Sequence, residues 1–338
     1  MTAFQEIGDL SLRLGGVLRG ARLAYITRGR LAADGRNAVL LTHGYTSSHT
    51  FIEGGSGASE GGWAGLVGPG LAIDTDRWFV VSSNMLGSAF GSTAPRSINP
   101  ATGRPYGPDF PPITLTDIVA AQRRLLDALG VRGLHAVVGP SYGGFQAFTW
   151  GVEHPDFVRG LVAAVSGLTA PRSLDPTPLA ARLAEDPNWN GGHYYDRAGG
   201  VLATMTAVRE ETLRRYGLDE DLARYLPDKA ARDAEIRRRA GEWAEAADAH
   251  SLLVLGRALD HYDLRAELGR IRARVLYVLS RTDRLFPPSL AAEVMPAFAA
   301  AGVLASYAEI DSEHGHLASG TEAAKWAAAL QGFMEGMG

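Results

Sequence analysis

The chain has 338 residues, 46% of them hydrophobic and 21% charged, with a mean hydropathy of −0.04, values of a globular chain rather than a disordered or fibrous one. A formal net charge of −4 and a pI near 6.1 argue against a surface built to neutralise nucleic-acid phosphates. There is no cysteine, which excludes disulfides, a thiolate nucleophile and thiolate metal sites and fits a reducing cytoplasm.

Residues 1–14 carry Glu6 and Asp9 and lack the basic start and apolar run of a signal peptide. The longer apolar runs, such as 161–165, fall far short of the roughly 20 residues that a membrane span needs. A soluble, cytoplasmic protein is expected, with neither membrane nor nucleic acid as a partner.

Residues 1–170 read as strands alternating with Gly-rich loops and helices. Short apolar runs at 38–41, 78–81, 134–138 and 161–165 have Gly, Pro, Asp or Asn close by, as in strands buried on both faces. The stretch 54–62 is Gly-rich but too irregular to cradle a phosphate, and reads as a surface loop. Between the second and third runs, residues 114–129 space Leu115, Ile118, Val119, Leu125, Leu126 and Leu129 as one face of a helix. Strand, helix, strand is the sequence form of a βαβ unit and predicts an α/β sheet.

Directly after the run 134–138 comes Gly139-Pro140-Ser141-Tyr142-Gly143-Gly144, followed by a predicted helix over 145–153. G-x-S-x-G between a strand and a helix is the nucleophile elbow of the α/β-hydrolase fold. Small neighbours allow a sharp turn that lifts the Ser141 hydroxyl above the sheet, and the helix N-terminus favours developing negative charge.

From about 171 to 258 the composition shifts to Arg, Glu and Ala. Helical segments are predicted at 179–184, 201–216, 230–249 and 251–259, with Pro171, Pro176, Pro178 and Pro187 near the start. The organisation expected is a core of 1–170 and 259–338, a mostly parallel sheet flanked by helices, with 171–258 as a helical lid insertion. The last part returns to α/β, with strands at 275–279 and 303–310 and helices at 288–300 and 322–334.

A serine hydroxyl needs an imidazole to take its proton and a carboxylate to orient that imidazole, in the chain order Ser, acid, His for this fold. Asp283 suits the acid because it follows the strand 275–279, at the carboxyl end where ligand sites of open α/β sheets lie. Asp260 and Asp263 precede that strand. His314 and His316 both follow the last strand and both remain candidates for the base; spacing favours His316, which sits after a glycine at the approach to the last helix, and leaves His314 as a rim or solvated histidine. Tyr142, after the nucleophile, and Tyr45, in the loop after 38–41, are the expected backbone N–H donors of the oxyanion hole. His43 is expected to brace that loop. No metal site is expected.

These residues, together with GPGLAIDTD at 68–76, NMLG at 84–87, GSTAPRSINPATGRPYGPDF at 91–110, DPNW at 186–189 and RALDHYD at 257–263, resemble the homoserine O-acyltransferase family of α/β-hydrolase-fold enzymes over nearly the whole chain. The family's closing Gly-His-Asp matches Gly315-His316-Leu317, which implies that His316 is the base. The resemblance also implies a homodimer through the insertion. Members that bind homoserine carry an aspartate directly after the histidine, for the substrate ammonium; here that position is Leu317. They also carry an arginine in the insertion for the carboxylate. The matching place falls at Thr204 or Met205, with Arg209 the nearest basic residue. Leu317, Met205 and Arg209 are thus the expected pocket residues. A zwitterion needs both charges matched in a partly buried pocket, so the loss of the acid points to hydrolysis of a short-chain, acetate-type ester through an acyl-enzyme on Ser141. The alternative is an acyl-CoA-dependent O-acyltransferase acting on homoserine or another alcohol. No cofactor is expected, acyl-CoA entering as co-substrate only under that alternative.

Overall fold

The computed structural model describes residues 1–54 and 62–337, so all but the ends of the Gly-rich stretch 54–62 lies outside the described residues. The core strands are β1 (Ala3–Ser11), β2 (Val17–Arg28), β3 (Ala38–Thr42), β4 (Phe79–Ser83), β5 (Leu134–Pro140), β6 (Val158–Ala164), β7 (Arg274–Ser280) and β8 (Ala305–Ile310). They form one sheet in the order β1-β2-β4-β3-β5-β6-β7-β8. β1 pairs antiparallel with β2 and β2 with β4, while all pairs from β4 onward are parallel.

Alternate side chains of the parallel strands feed two apolar layers. Leu40, Val137 and Tyr277 join the layer of Phe148 and Phe298, while Leu41, Val138 and Val278 join that of Trp63 and Trp326. Helices cover both faces: α1 (Leu115–Ala128), α2 (Tyr142–Glu153) and α8 (Ala291–Ala300) contribute to the first layer, and α9 (Ala324–Glu335) to the second. Two-sided burial explains why these strands read as unbroken apolar runs. Helix α1 begins in a capping box, with Thr114 accepting from the Asp117 N–H and Asp117 accepting from the Thr114 N–H. The Asp117 carboxylate also accepts from the backbone of Arg13, which pins the β1–β2 turn.

The chain crosses from β3 to β4 on one side and returns to β5 on the other. β3 and β5 are therefore neighbours whose following loops diverge, which opens a crevice at their carboxyl ends. Between β6 and β7 the chain carries α3 (Thr177–Ala184), α4 (Leu202–Arg215), α5 (Leu218–Leu222), α6 (Lys229–Ala246) and α7 (Ala249–Arg257). These helices pack around two apolar clusters of their own. One holds Leu183, Tyr194, Met205 and Leu253, the other Leu213, Leu222, Ile236 and, from the core, Leu317. Among the described residues no helix is long and apolar enough to cross a membrane.

Candidate active site

Ser141 stands between β5 and α2 with φ 54° and ψ −121°, a conformation that L side chains rarely hold. Its N–H donates to Ala164 O at 2.8 Å, and its carbonyl accepts from Ser166 Oγ at 2.8 Å. Val165, beside Ser166, also has positive φ (45°), unusual for a β-branched residue, so the ends of β5 and β6 are both held in strained turns.

The elbow glycines answer to specific contacts. A Cβ at Gly139 would stand 2.2 Å from Thr42 Oγ1, at Gly143 2.2 Å from Thr42 O, and at Gly144 2.4 Å from Ser166 Cβ. The end of β3 and the start of α2 thus touch backbone to backbone, and Thr42 Oγ1 donates to Gly143 O at 2.9 Å.

Asp283 lies in the loop after β7 and is fully buried. Its Oδ1 accepts the N–H groups of Leu285 and Phe286 at 2.8 and 3.2 Å. Its Oδ2 is 2.8 Å from Nδ1 of His316, whose side chain is 1% exposed. The His316 ring packs against Tyr216 and Phe286, with centroids 4.8 and 5.7 Å away. Thr282 ties the acid loop to the histidine loop, accepting from the Gly315 N–H and donating to Ser312 O.

His314 goes elsewhere. Its Nδ1 is 2.7 Å from Asp221 Oδ1 on α5, and its side chain is only 15% exposed. The turn at Gly315 (φ 55°) sends the two histidines to different neighbours.

Tyr142 is the first residue of α2, so its N–H has no acceptor within the helix. Tyr45 follows β3 across the crevice, and the two tyrosine rings stack at 5.8 Å with planes 18° apart. His43 is buried in the same loop. Burial pushes its pKa down to about 3, so the ring is neutral, with Nδ1–H donating to Gly44 O and Nε2 accepting from the Met85 N–H. Beneath the loop lies a buried amide pair that sequence inspection did not single out. Gln146 donates to His43 O at 3.1 Å and to Tyr142 O at 3.4 Å, and its oxygen accepts from Gln122 at 2.7 Å.

Leu317 is 5% exposed and belongs to the apolar cluster of α4, α5 and α6. Met205 sits in the insertion's other apolar cluster. Arg209, 2% exposed, donates to Thr46 Oγ1 at 2.9 Å and lies over the Trp243 ring. A cavity of about 380 Å³ opens beside Arg209, lined also by Tyr45, Thr46, Tyr216, Trp243 and Leu285 among others; of the three expected pocket residues only Arg209 lines it, Leu317 and Met205 being taken up by the apolar clusters. Among the described residues no group of three or more His, Asp or Glu side chains is placed to hold a metal.

A strained serine before a helix N-terminus and a buried imidazole–carboxylate pair are the groups that acyl-serine chemistry uses. A model of the alpha/beta hydrolase fold matches residues 37–323. The chain is 38% identical to a homoserine O-succinyltransferase of Methylibium petroleiphilum, covering 91% of this chain and 86% of that one. It is also 38% identical to a homoserine O-acetyltransferase of Methanocorpusculum labreanum, covering 91% and 67%. Among solved structures, esterase E22 matches with a TM-score of 0.88 at 25% identity, covering 99% of both chains. The homoserine O-acetyltransferase of Bacillus anthracis matches in fold with a TM-score of 0.86 at 23% identity, covering 99% and 97%. The chain therefore belongs to the homoserine O-acyltransferase family of the α/β-hydrolase fold.

Proposed function

We propose that this chain is a serine hydrolase of short-chain esters that works through an acyl-enzyme on Ser141. His316 Nε2 takes the Ser141 hydroxyl proton as Oγ attacks the acyl carbon, and Asp283 holds the imidazolium that forms. The N–H groups of Tyr45 and Tyr142 receive the negative oxygen. Collapse expels the alcohol, which takes the proton from His316. Water then repeats the sequence: His316 removes its proton, hydroxide adds to the acyl carbon, and the acid leaves as the proton returns to Ser141. The insertion, 171–258, acts as the lid that excludes bulk solvent.

The nucleophile chemistry is the same for hydrolysis and transfer, so the acceptor decides the reaction class. The relatives at 38% identity carry transferase names, and they weigh for transfer more than a 25% likeness to an esterase weighs for hydrolysis. The observation that carries the hydrolytic reading is Leu317. Directly after the candidate base stands a buried leucine inside an apolar cluster, and a substrate ammonium brought there would be a charge without a partner. The second reading, acyl-CoA-dependent transfer to homoserine or another alcohol, is the one the relatives favour.

One comparison tests both. Purified enzyme receives p-nitrophenyl acetate and short alkyl esters in one arm, and acetyl-CoA or succinyl-CoA with homoserine in the other, with Ser141→Ala as control. Ester turnover that disappears in Ser141→Ala, without homoserine-dependent CoA release, is the expected result. Rapid homoserine-dependent CoA release would replace hydrolysis by transfer.

A further inference from the structure

The two tyrosines whose backbones flank the crevice also carry hydroxyls, and both reach the same helix of the insertion. Tyr45 Oη donates to Leu252 O at 2.5 Å, and Tyr142 Oη donates to Leu255 O at 3.0 Å. Leu252 and Leu255 are three residues apart on α7, so their carbonyls lie on one side of that helix. The rings stack on each other between α7 and the crevice. Burial raises the pKa of both phenols, so both stay protonated donors.

The acceptors differ in a useful way. Leu252 O also has the Gly256 N–H available one turn on, as in any α-helix. Leu255 O lies in the last turn, where the Leu259 N–H turns instead to Gly256 O, so Tyr142 caps a carbonyl that the helix leaves open. From below, the two sides of the crevice are joined within the core by Gln146 and Thr42. From above, the tyrosine hydroxyls tie them to α7, alongside Arg209 and Trp243 of the insertion, which donate to Thr46 Oγ1 and Thr46 O.

We infer that the Tyr45 and Tyr142 side chains are positioning residues that set the two oxyanion donors against α7, so that the hole reaches its working geometry only with the insertion docked. The inference rests on the acyl-enzyme reading above. A hole displaced by a few tenths of an ångström still binds the planar ester but holds the tetrahedral oxygen less well. Ground-state binding and chemistry should therefore separate.

The test uses the full chain as wild type, Tyr45→Phe, Tyr142→Phe and the double variant. Each is assayed for p-nitrophenyl acetate kinetics, affinity for an aryl trifluoromethyl ketone, which adds to serine as a tetrahedral mimic, and thermal midpoint. Tyr45→Phe keeps the ring stack and leaves Leu252 O its helical donor, so it carries the test even where Tyr142→Phe folds poorly. The expected result is a kcat lower by about tenfold with KM within about twofold, and a ketone affinity that falls in step with kcat. A well-folded Tyr45→Phe with unchanged kcat and ketone affinity overturns the inference, as does a loss confined to thermal midpoint and KM. Fluorophosphonate labelling of the same samples examines the nucleophile separately. Labelling with unmoved ketone affinity overturns the clamp alone; wild-type enzyme that does not label overturns the acyl-enzyme reading and the clamp with it.

Discussion

Asp283 and His316 meet at 2.8 Å from loops that follow two adjacent parallel strands, β7 and β8, with neither side chain reaching solvent. Both carboxylate oxygens are committed, one to the imidazole and one to the backbone of Leu285 and Phe286. The pair is therefore held in place before any substrate arrives.

Asp283→Asn keeps the shape but removes the charge that balances a protonated His316, and it can turn the ring to the wrong tautomer. Turnover of a p-nitrophenyl ester should fall by about 10³–10⁴-fold while the fold persists. Steady-state kinetics with a circular dichroism control checks this; a loss under tenfold would mean that Asp283 does not orient the base.

Gly143→Ala would drive a Cβ to 2.2 Å from the backbone oxygen of Thr42, a neighbour with no freedom to yield. A loss of about 3 kcal/mol or more is expected in urea unfolding. Gly241→Ala, inside α6 with nothing within 4 Å of the added carbon, should instead gain about 0.5–1 kcal/mol. Equal effects at the two sites would contradict the contact argument.

Leu317→Asp places a carboxylate inside the cluster of Leu213, Leu222 and Ile236. An unpaired buried charge should lower stability by several kcal/mol. Homoserine, whose ammonium would pair with it, should raise the thermal midpoint of the variant and leave that of the wild-type chain unmoved. A thermal-shift titration reads this directly.

Acid should weaken the fold through its buried histidines. Burial holds His43 at about 3 and His49 at about 4, against an ordinary value of 6.5. Below pH 6.5 the unfolded chain takes up protons that the folded chain refuses. Stability is thus fully present above that pH, falls as pH drops toward 4, and loses no more to these groups below about pH 3. The slope is at most about 1.4 kcal/mol per pH unit for each histidine. His49→Gln should flatten the decline between pH 6.5 and 4 in urea midpoints, and an unchanged slope would assign it to other groups.

How much of this was legible in the sequence follows from where each constraint acts. The elbow is legible because its glycines answer to steric contacts, and steric need shows as residue type. Strands β3 to β7 are legible because burial on both faces leaves unbroken apolar runs. β1 and β2 are not. One side of β1 faces solvent, and the strand register shifts on either side of Gly8 (φ 71°), so no clean alternation survives. Helix α5 is five residues long, too short for a period to show. Spacing favours His316 but leaves His314 open; their separation depends on the Gly315 turn and on Asp221, almost a hundred residues earlier. The tyrosine ties and the Gln146 bridge join residues about a hundred or more positions apart, through hydroxyls and amides that leave no local pattern.

Leu317 belongs to two units at once. It adjoins His316 in the chain, yet its side chain is part of the apolar seam that binds the insertion to the core. A lineage that drifts between acceptors by changing this one residue must repack that seam in the same step. Substitutions at Leu213, Leu222 or Ile236 would then be the permissive ones, and the history of the reaction would be written in the helices above the site rather than in its nucleophile.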